Sequence, residues 1–169
     1  YLINLYNCGT GGLLADEMGL GKTVQALAFL YTVLEQEKGL ILVVCPVSAL
    51  SVWEQEARRF CPDIPITIWH GSQRRQRTIP DSGLLISTFA TIQKDISHMS
   101  ETSFSVTIVD EAQNVRNART EAARSLRKLN TRSVFCLTGT PMENHLMDYW
   151  SLLDLSVPGL LGTRQSFAR

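Results

Sequence analysis

The residues best suited to chemistry form one octapeptide, Asp16-Glu17-Met18-Gly19-Leu20-Gly21-Lys22-Thr23. It follows a short apolar run, Gly12-Leu13-Leu14-Ala15, and precedes a helical pattern. Strand, glycine loop, Lys-Thr and helix, in that order, make a phosphate-binding loop. Gly19 and Gly21 let the backbone curl until its N–H groups converge on phosphate oxygens. The helix after the loop offers free N–H groups and the positive end of its dipole to the same anion. Lys22 reaches the outer phosphates, and the Thr23 hydroxyl is placed to ligand Mg²⁺. The common pattern has Gly or Ala six residues before the lysine, and this chain has Asp16. The competing reading is a glycine-rich turn that happens to precede a lysine.

Val106-Thr107-Ile108-Val109-Asp110-Glu111 has the form of the second half of such a site. An apolar strand delivers one carboxylate, Asp110, to hold Mg²⁺ directly or through water. The next, Glu111, can polarise an attacking water, a form of help that contributes about 10²–10⁴-fold. Alone, an Asp-Glu pair after a strand reads as a solvated turn; following a phosphate loop, it reads as a site. Thr138-Gly139-Thr140-Pro141 also ends an apolar run. Its two hydroxyls and flexible glycine can sense the terminal phosphate, or they can form an ordinary strand exit with Pro as stop. Ser48 and Thr88 either bind a backbone phosphate at a helix start or cap the helix. Arg74, Arg75 and Arg77 fit a solvated helix face better than a nucleic-acid patch.

These residues need a scaffold, and the hydrophobic pattern describes one. Helical spacing over 1–10 and from Thr23 to near Gly39 flanks the loop, with Val24, Leu27, Ala28, Tyr31 and Leu34 on one face of the second helix. The run Leu40-Ile41-Leu42-Val43-Val44-Cys45 suits a strand buried on both faces of a parallel sheet. A helix capped by Ser48 then extends to about Phe60, with Trp53, Ala57 and Phe60 on one face. Further strands are expected over 66–69, 84–88, 106–109 and 133–137. Between them come a short helix to about Ile96, a loop over 97–105 and a helix over 119–129. A last helix, 145–155, should bury Leu146, Tyr149, Trp150 and Leu153. Alternating strands and crossover helices predict an α/β fold of three layers, a mostly parallel sheet with helices on both faces. Ligands in such sheets bind beyond the carboxyl ends of the strands. Every stretch singled out above lies at such an end.

The 169 residues suit one domain, and 44% hydrophobic with 19% charged residues is a globular composition. Sixteen basic and sixteen acidic residues cancel, so any DNA contact must be a local strip. Cys8, Cys45, Cys61 and Cys136 lack CxxC spacing and read as reduced thiols in or near the core. No apolar run approaches the ~18 residues of a membrane span, and no signal peptide is visible. The first residue is Tyr1, not Met, which reads as an excised segment.

Leu14-Ala15-Asp16-Glu17-Met18-Gly19-Leu20-Gly21-Lys22-Thr23-Val24-Gln25 resembles motif I of the Swi/Snf-type helicase-like ATPases of superfamily two, where Asp16 is the residue this family has. Val44-Cys45-Pro46-Val47-Ser48 with Trp53 resembles motif Ia, and Ser87-Thr88-Phe89 resembles motif Ib. Asp110-Glu111-Ala112-Gln113-Asn114-Val115-Arg116-Asn117 resembles motif II, in a variant with Gln113 that looks more like bacterial members. Leu137-Thr138-Gly139-Thr140-Pro141-Met142-Glu143-Asn144 resembles motif III. Trp150-Ser151-Leu152-Leu153-Asp154 and Pro158-Gly159-Leu160-Leu161-Gly162 resemble the family's segment downstream of motif III.

The resemblance implies a RecA-like P-loop fold, with residues 1–169 as the N-terminal lobe of a two-lobed motor that translocates on double-stranded DNA at the expense of ATP. It implies ATP contacts along Asp16, Glu17, Met18, Gly19, Leu20, Gly21, Lys22, Thr23 and Val24. Mg²⁺ falls to Thr23 and Asp110, and water activation to Glu111. The catalytic set becomes Lys22, Asp110, Glu111 and Gln113; Gln113, Thr138, Gly139 and Thr140 become coupling residues, and Ser48 and Thr88 candidate DNA-phosphate contacts. The family's adenine-recognising glutamine motif and its second lobe, with the arginine fingers, fall outside this sequence, so the lobe alone is expected to hydrolyse ATP poorly. The expected location is the cytoplasm (at the nucleoid) for a bacterial member and the nucleus for a eukaryotic one. Two alternatives stand beside this reading. An RNA helicase lobe of the commonest type would carry Asp-Glu-Ala-Asp and Ser-Ala-Thr, which this chain lacks. A scaffold without turnover should have lost one of Lys22, Thr23, Asp110 and Glu111, and all are present.

Overall fold

A computed structural model describes residues 1–17, 19–140 and 146–168. Its strands are β1 (Gly12–Leu14), β2 (Leu40–Cys45), β3 (Ile66–Trp69), β4 (Gly83–Thr88), β5 (Ser103–Val109) and β6 (Asn130–Leu137). They form one six-stranded sheet in the order β1-β6-β5-β2-β4-β3, and every pairing is parallel. The helices are α1 (Leu2–Asn7), α2 (Lys22–Gln36), α3 (Leu50–Phe60), α4 (Phe89–Lys94), α5 (Ile96–Met99), α6 (Glu121–Leu126), α7 (Leu146–Ser156) and α8 (Arg164–Phe167).

The sheet is buried on both faces, as the unbroken apolar run of β2 requires. Ile41, Val43 and Cys45 join a core with α1, α2 and α3, while Leu40, Leu42 and Val44 join a second core with α4, α6 and α7. The three-layer α/β expectation is met. Register then aligns the strand exits. Leu14 lies opposite Leu137, Val109 opposite Cys136, Val44 opposite Val109 and Cys45 opposite Thr88. Five strands therefore end along one edge, and the residues just beyond them share it.

Several local expectations need correction. Residues 97–105 are not a loop, because Ile96–Met99 is helical with Met99 buried and β5 already runs from Ser103. The helix expected over 119–129 shrinks to α6, where the Thr120 hydroxyl caps the Ala123 N–H at 3.2 Å. Ser48 does not cap α3; it lies exposed in a 3₁₀ turn, Val47–Ala49, ahead of it. Phe60 is 44% exposed beneath the Arg59 guanidinium, and only Trp53 and Ala57 of its expected stripe are buried. In α7, Trp150 faces inward as expected, but Leu146 is 58% exposed and Leu152 and Leu155 fill the core. That helix is apolar nearly all round, so periodicity alone cannot choose its face.

Arg75 and Arg77 are exposed, as a solvated face requires, but Arg74 is largely buried and both Arg74 and Arg75 carry a specific ion pair. They sit in a 3₁₀ turn, Ser72–Gln76, and both grip the buried Asp95, at 2.5 Å and 2.7 Å. Cys45, Cys61 and Cys136 are buried, Cys8 is exposed, and all four thiols are free. Among the described residues no helix is long and apolar enough to cross a membrane.

Candidate active site

The loop between β1 and α2 turns on two left-handed glycines, Gly19 at φ +86° and Gly21 at φ +69°. A side chain there would be strained, and no other residue type in the loop takes this conformation freely. Gly21 is the N-cap of α2 and supplies no side-chain cap, so the first turn of that helix keeps its N–H groups for another acceptor. Lys22 folds back over the loop, its Nζ donating to the carbonyls of Asp16 at 2.9 Å and Glu17 at 2.8 Å. Thr23 and Val24 come next in the first turn of α2, and Leu20 is exposed at the mouth. The departure at Asp16 has a local reason that the sequence did not display. Gln25 Nε2 donates to Asp16 Oδ2 at 3.3 Å and to the Leu20 carbonyl at 3.0 Å, stapling the loop to its own helix. Met18 lies outside the described residues.

Asp110 leaves β5 on the same edge. Its backbone N–H still pairs with the Val44 carbonyl at 2.9 Å, so the carboxylate is anchored to the sheet. One oxygen accepts the Glu111 N–H at 2.9 Å, and the other accepts the indole N–H of Trp53 at 2.7 Å. Burial raises the carboxyl's pKa, and the charge of Glu111 adds to that; Trp53, the Glu111 N–H and Lys22 pull it down without cancelling the rise. The Cys45 thiol beside it is pushed up to about 12 by burial and by Asp110, so it stays a neutral thiol and no competing anion.

Glu111 is the single non-glycine residue with positive φ among the described residues, at φ +48° and ψ +50°. Such strain persists where surroundings over-determine it, and functional sites are where it collects. Here the Glu111 carbonyl accepts from both the backbone N–H and the side chain of Asn114, at 3.0 Å and 2.8 Å. Gln113 Nε2 donates to Glu111 Oε2, and Gln113 Oε1 accepts the Thr138 hydroxyl at 2.7 Å. The Thr138 oxygen in turn accepts the Thr140 N–H at 3.1 Å, with Gly139 between them. Glu111, Gln113, Thr138 and Thr140 thus form one hydrogen-bonded chain from the exit of β5 to the exit of β6. Residues 141–145, the rest of the motif III resemblance, lie outside the described residues.

The two DNA-contact candidates part ways. Ser48 is exposed at the exit of β2, where a phosphate can reach it. Thr88 is 1% exposed, and its hydroxyl caps α4 through the Thr91 N–H at 3.3 Å while bonding the Thr91 hydroxyl at 2.9 Å. The expectation of a DNA contact at Thr88 is corrected to the capping role. Trp53 and Gln25 are the site residues whose roles the sequence did not disclose. Both lay within motif resemblances, but what each side chain bonds depends on which element it packs against.

The site's donors suit a Mg²⁺–nucleotide pair. Among the described residues no cluster of His, Cys, Asp and Glu could hold a metal by itself. Mg²⁺ needs no such cage, since it is held by one or two carboxylates together with substrate phosphates. Of the residues expected to meet it, Thr23 lies in the first turn of α2 and Asp110 at the exit of β5.

A model of the SNF2-related domain matches residues 1–169. The chain is 33% identical to the putative ATP-dependent helicase/translocase YwqA of Bacillus subtilis, covering 99% of this chain and 19% of that protein. It is 34% identical to the lymphoid-specific helicase of Homo sapiens, covering 99% of this chain and 21% of that one. The solved structure of the Sulfolobus solfataricus SWI2/SNF2 ATPase core in complex with dsDNA superposes with a TM-score of 0.89 at 33% identity, covering 98% of this chain and 35% of that one. This chain spans about a fifth of the length of the two relatives. The whole-length family match and the shared RecA-like sheet agree with the geometry of the loop and the two carboxylates: the chain belongs to the SNF2-related domain family of helicase-like ATPases.

Proposed function

We propose that residues 1–169 are the first lobe of a two-lobed, DNA-stimulated ATPase that translocates on double-stranded DNA and remodels proteins bound to it. The observation that carries this reading is the hydrogen-bonded chain from Glu111 through Gln113 to Thr138 and Thr140. A site built only to bind nucleotide has no use for a strained carboxylate wired to the next strand exit.

The residues divide the task. The Gly19–Gly21 loop and the first turn of α2 cradle the phosphates, and Lys22 exchanges its two loop carbonyls for phosphate oxygens. Mg²⁺, held by Thr23 and Asp110, neutralises charge on the phosphates when bound. Glu111 orients the attacking water and accepts its proton, while Gln113 holds the Glu111 carboxylate at Oε2 and Thr138 through Oε1. A change in the position of Glu111 on phosphate loss must therefore move Gln113, Thr138 and the 138–140 turn together. Ser48 is the contact this lobe offers to a DNA phosphate, one that positions the duplex without reading sequence. The dsDNA carried by the Sulfolobus ATPase core supports the choice of partner. Arginine fingers from a second lobe supply about 10³–10⁵ in rate in this class of chemistry.

The test is ATP hydrolysis by the full-length parent, with duplex DNA, single strands or RNA, in wild type and Glu111→Gln. Duplex-stimulated hydrolysis that falls at least ~10²-fold in the variant supports the reading. Stimulation by RNA alone moves the lobe to the RNA helicases, and zero turnover with every nucleic acid makes it a nucleotide-binding scaffold.

A further inference from the structure

Trp53 is fully buried, yet its one polar atom is not spent on its own helix. An indole has a single donor and no acceptor. Here that donor crosses from α3 to the exit of β5 and meets Asp110 Oδ2 at 2.7 Å. The other carboxylate oxygen, Oδ1, takes the Glu111 N–H at 2.9 Å. The terminal torsion of an aspartate is otherwise broad and roughly two-fold. One donor on each oxygen removes that freedom and restricts the direction of the remaining lone pairs.

From this geometry we infer that Trp53 is a positioning residue for Asp110, setting the orientation in which that carboxylate meets the divalent cation of a bound nucleotide. The inference rests on the reading of Asp110 as a Mg²⁺ ligand. Partners that orient a ligating carboxylate commonly govern metal affinity or activity by 10–100-fold. The ring is fixed for this task. It belongs to the core that also holds Leu27 and Leu30 of α2 and Val43 and Cys45 of β2, and its helix α3 packs against α2 and β4. The indole thus links that core to the carboxylate through its single donor. A tryptophan present only to fill the core would be replaced by a phenylalanine with no consequence for the metal.

The experiment uses the full-length protein and equilibrium binding of fluorescent mant-ADP, titrated with Mg²⁺ and compared with EDTA. Wild type, Trp53→Phe and a protein carrying benzothienylalanine at position 53 are measured together, with thermal midpoints alongside. Benzothienylalanine keeps the indole's shape and lacks its N–H, so it remains informative where Trp53→Phe fails to fold. The expected result is a Mg²⁺ requirement raised about tenfold in both N–H-less proteins, with ADP affinity in EDTA within twofold of wild type. An unchanged Mg²⁺ requirement alongside a lowered thermal midpoint overturns the inference and makes Trp53 a core residue only. If wild type itself binds ADP with no dependence on Mg²⁺, the assignment of Asp110 fails first and takes this inference with it.

Discussion

Gly21 and Glu111 share a left-handed backbone and differ in what it costs. For Gly21, at φ +69°, the conformation is free, and an added Cβ would meet nothing within 4 Å. Gly21→Ala should therefore lose stability by backbone strain alone, about 1–2 kcal/mol, read as a shift in the urea midpoint. The same change should weaken nucleotide binding, because the N–H groups of the loop can no longer converge. Glu111 bears the strain in the wild type, anchored by Asn114 and by the Asp110 carboxylate that accepts its N–H. Gln113 is the hinge between this residue and Thr138. Gln113→Ala should lower basal hydrolysis, because it frees the Glu111 carboxylate, and lower duplex-stimulated hydrolysis about tenfold further, equivalent to about 1.4 kcal/mol of lost coupling. Equal loss of both rates would show that Gln113 serves hydrolysis itself.

At the scale of elements, the segment between β3 and β4 shows how far charge patterning misleads. Three arginines in a polar stretch read as solvated, and two of them prove to be ligands of one buried carboxylate. Burial alone would raise the Asp95 pKa, but hydrogen bonds from Arg74, Arg75 and Trp69 outweigh it and lower the value from 3.8 to about 2. A carboxyl depressed in the folded state stabilises it above the unfolded pKa and loses that contribution as pH falls through the folded one. The wild type should lose about 2 kcal/mol between pH ~4 and pH ~2, measured by urea unfolding at each pH. Asp95→Asn should flatten that dependence and lower stability at neutral pH by about 3 kcal/mol, since it leaves the buried side of Arg74 without its counter-charge. The Asp95 partner lies some twenty residues downstream, on the turn between α4 and α5, and nothing in the local pattern of either segment announces it.

For the whole molecule, the sheet register is what turns scattered motifs into a site. Parallel pairing aligns the exits of β1, β6, β5, β2 and β4, so the phosphate loop, Thr138, Asp110, Ser48 and Thr88 emerge along one edge. That edge is open, with Leu20 and Val24 exposed at the loop and Val47 exposed beside Ser48. The proposed two-lobed motor closes over it. Residues 1–169 alone should then turn over ATP at least ~10³-fold more slowly than the DNA-bound parent, in a direct comparison of steady-state rates. A lobe as fast as its parent would remove the second lobe from the chemistry.

Amino-acid pattern was enough for the alternation of strands and helices, the burial of β2 on both faces, and the placement of the motif residues at strand exits. Each rests on local rules: a period in hydrophobicity, a glycine where φ must be positive, a hydroxyl beside a lysine. Folding in three dimensions was needed to choose the partner each polar group meets. Trp53 on Asp110, Gln25 on Asp16, Gln113 on Thr138 and Asp95 under two arginines are pairings across elements, and Thr88 lost its expected role because burial gave its hydroxyl to a cap. The face of α7 was likewise settled by packing, because its sequence is apolar on more than one side. Local pattern records what a residue can do; the sheet register and the packing of α2 and α3 set the distances over which a hydrogen bond either forms or does not.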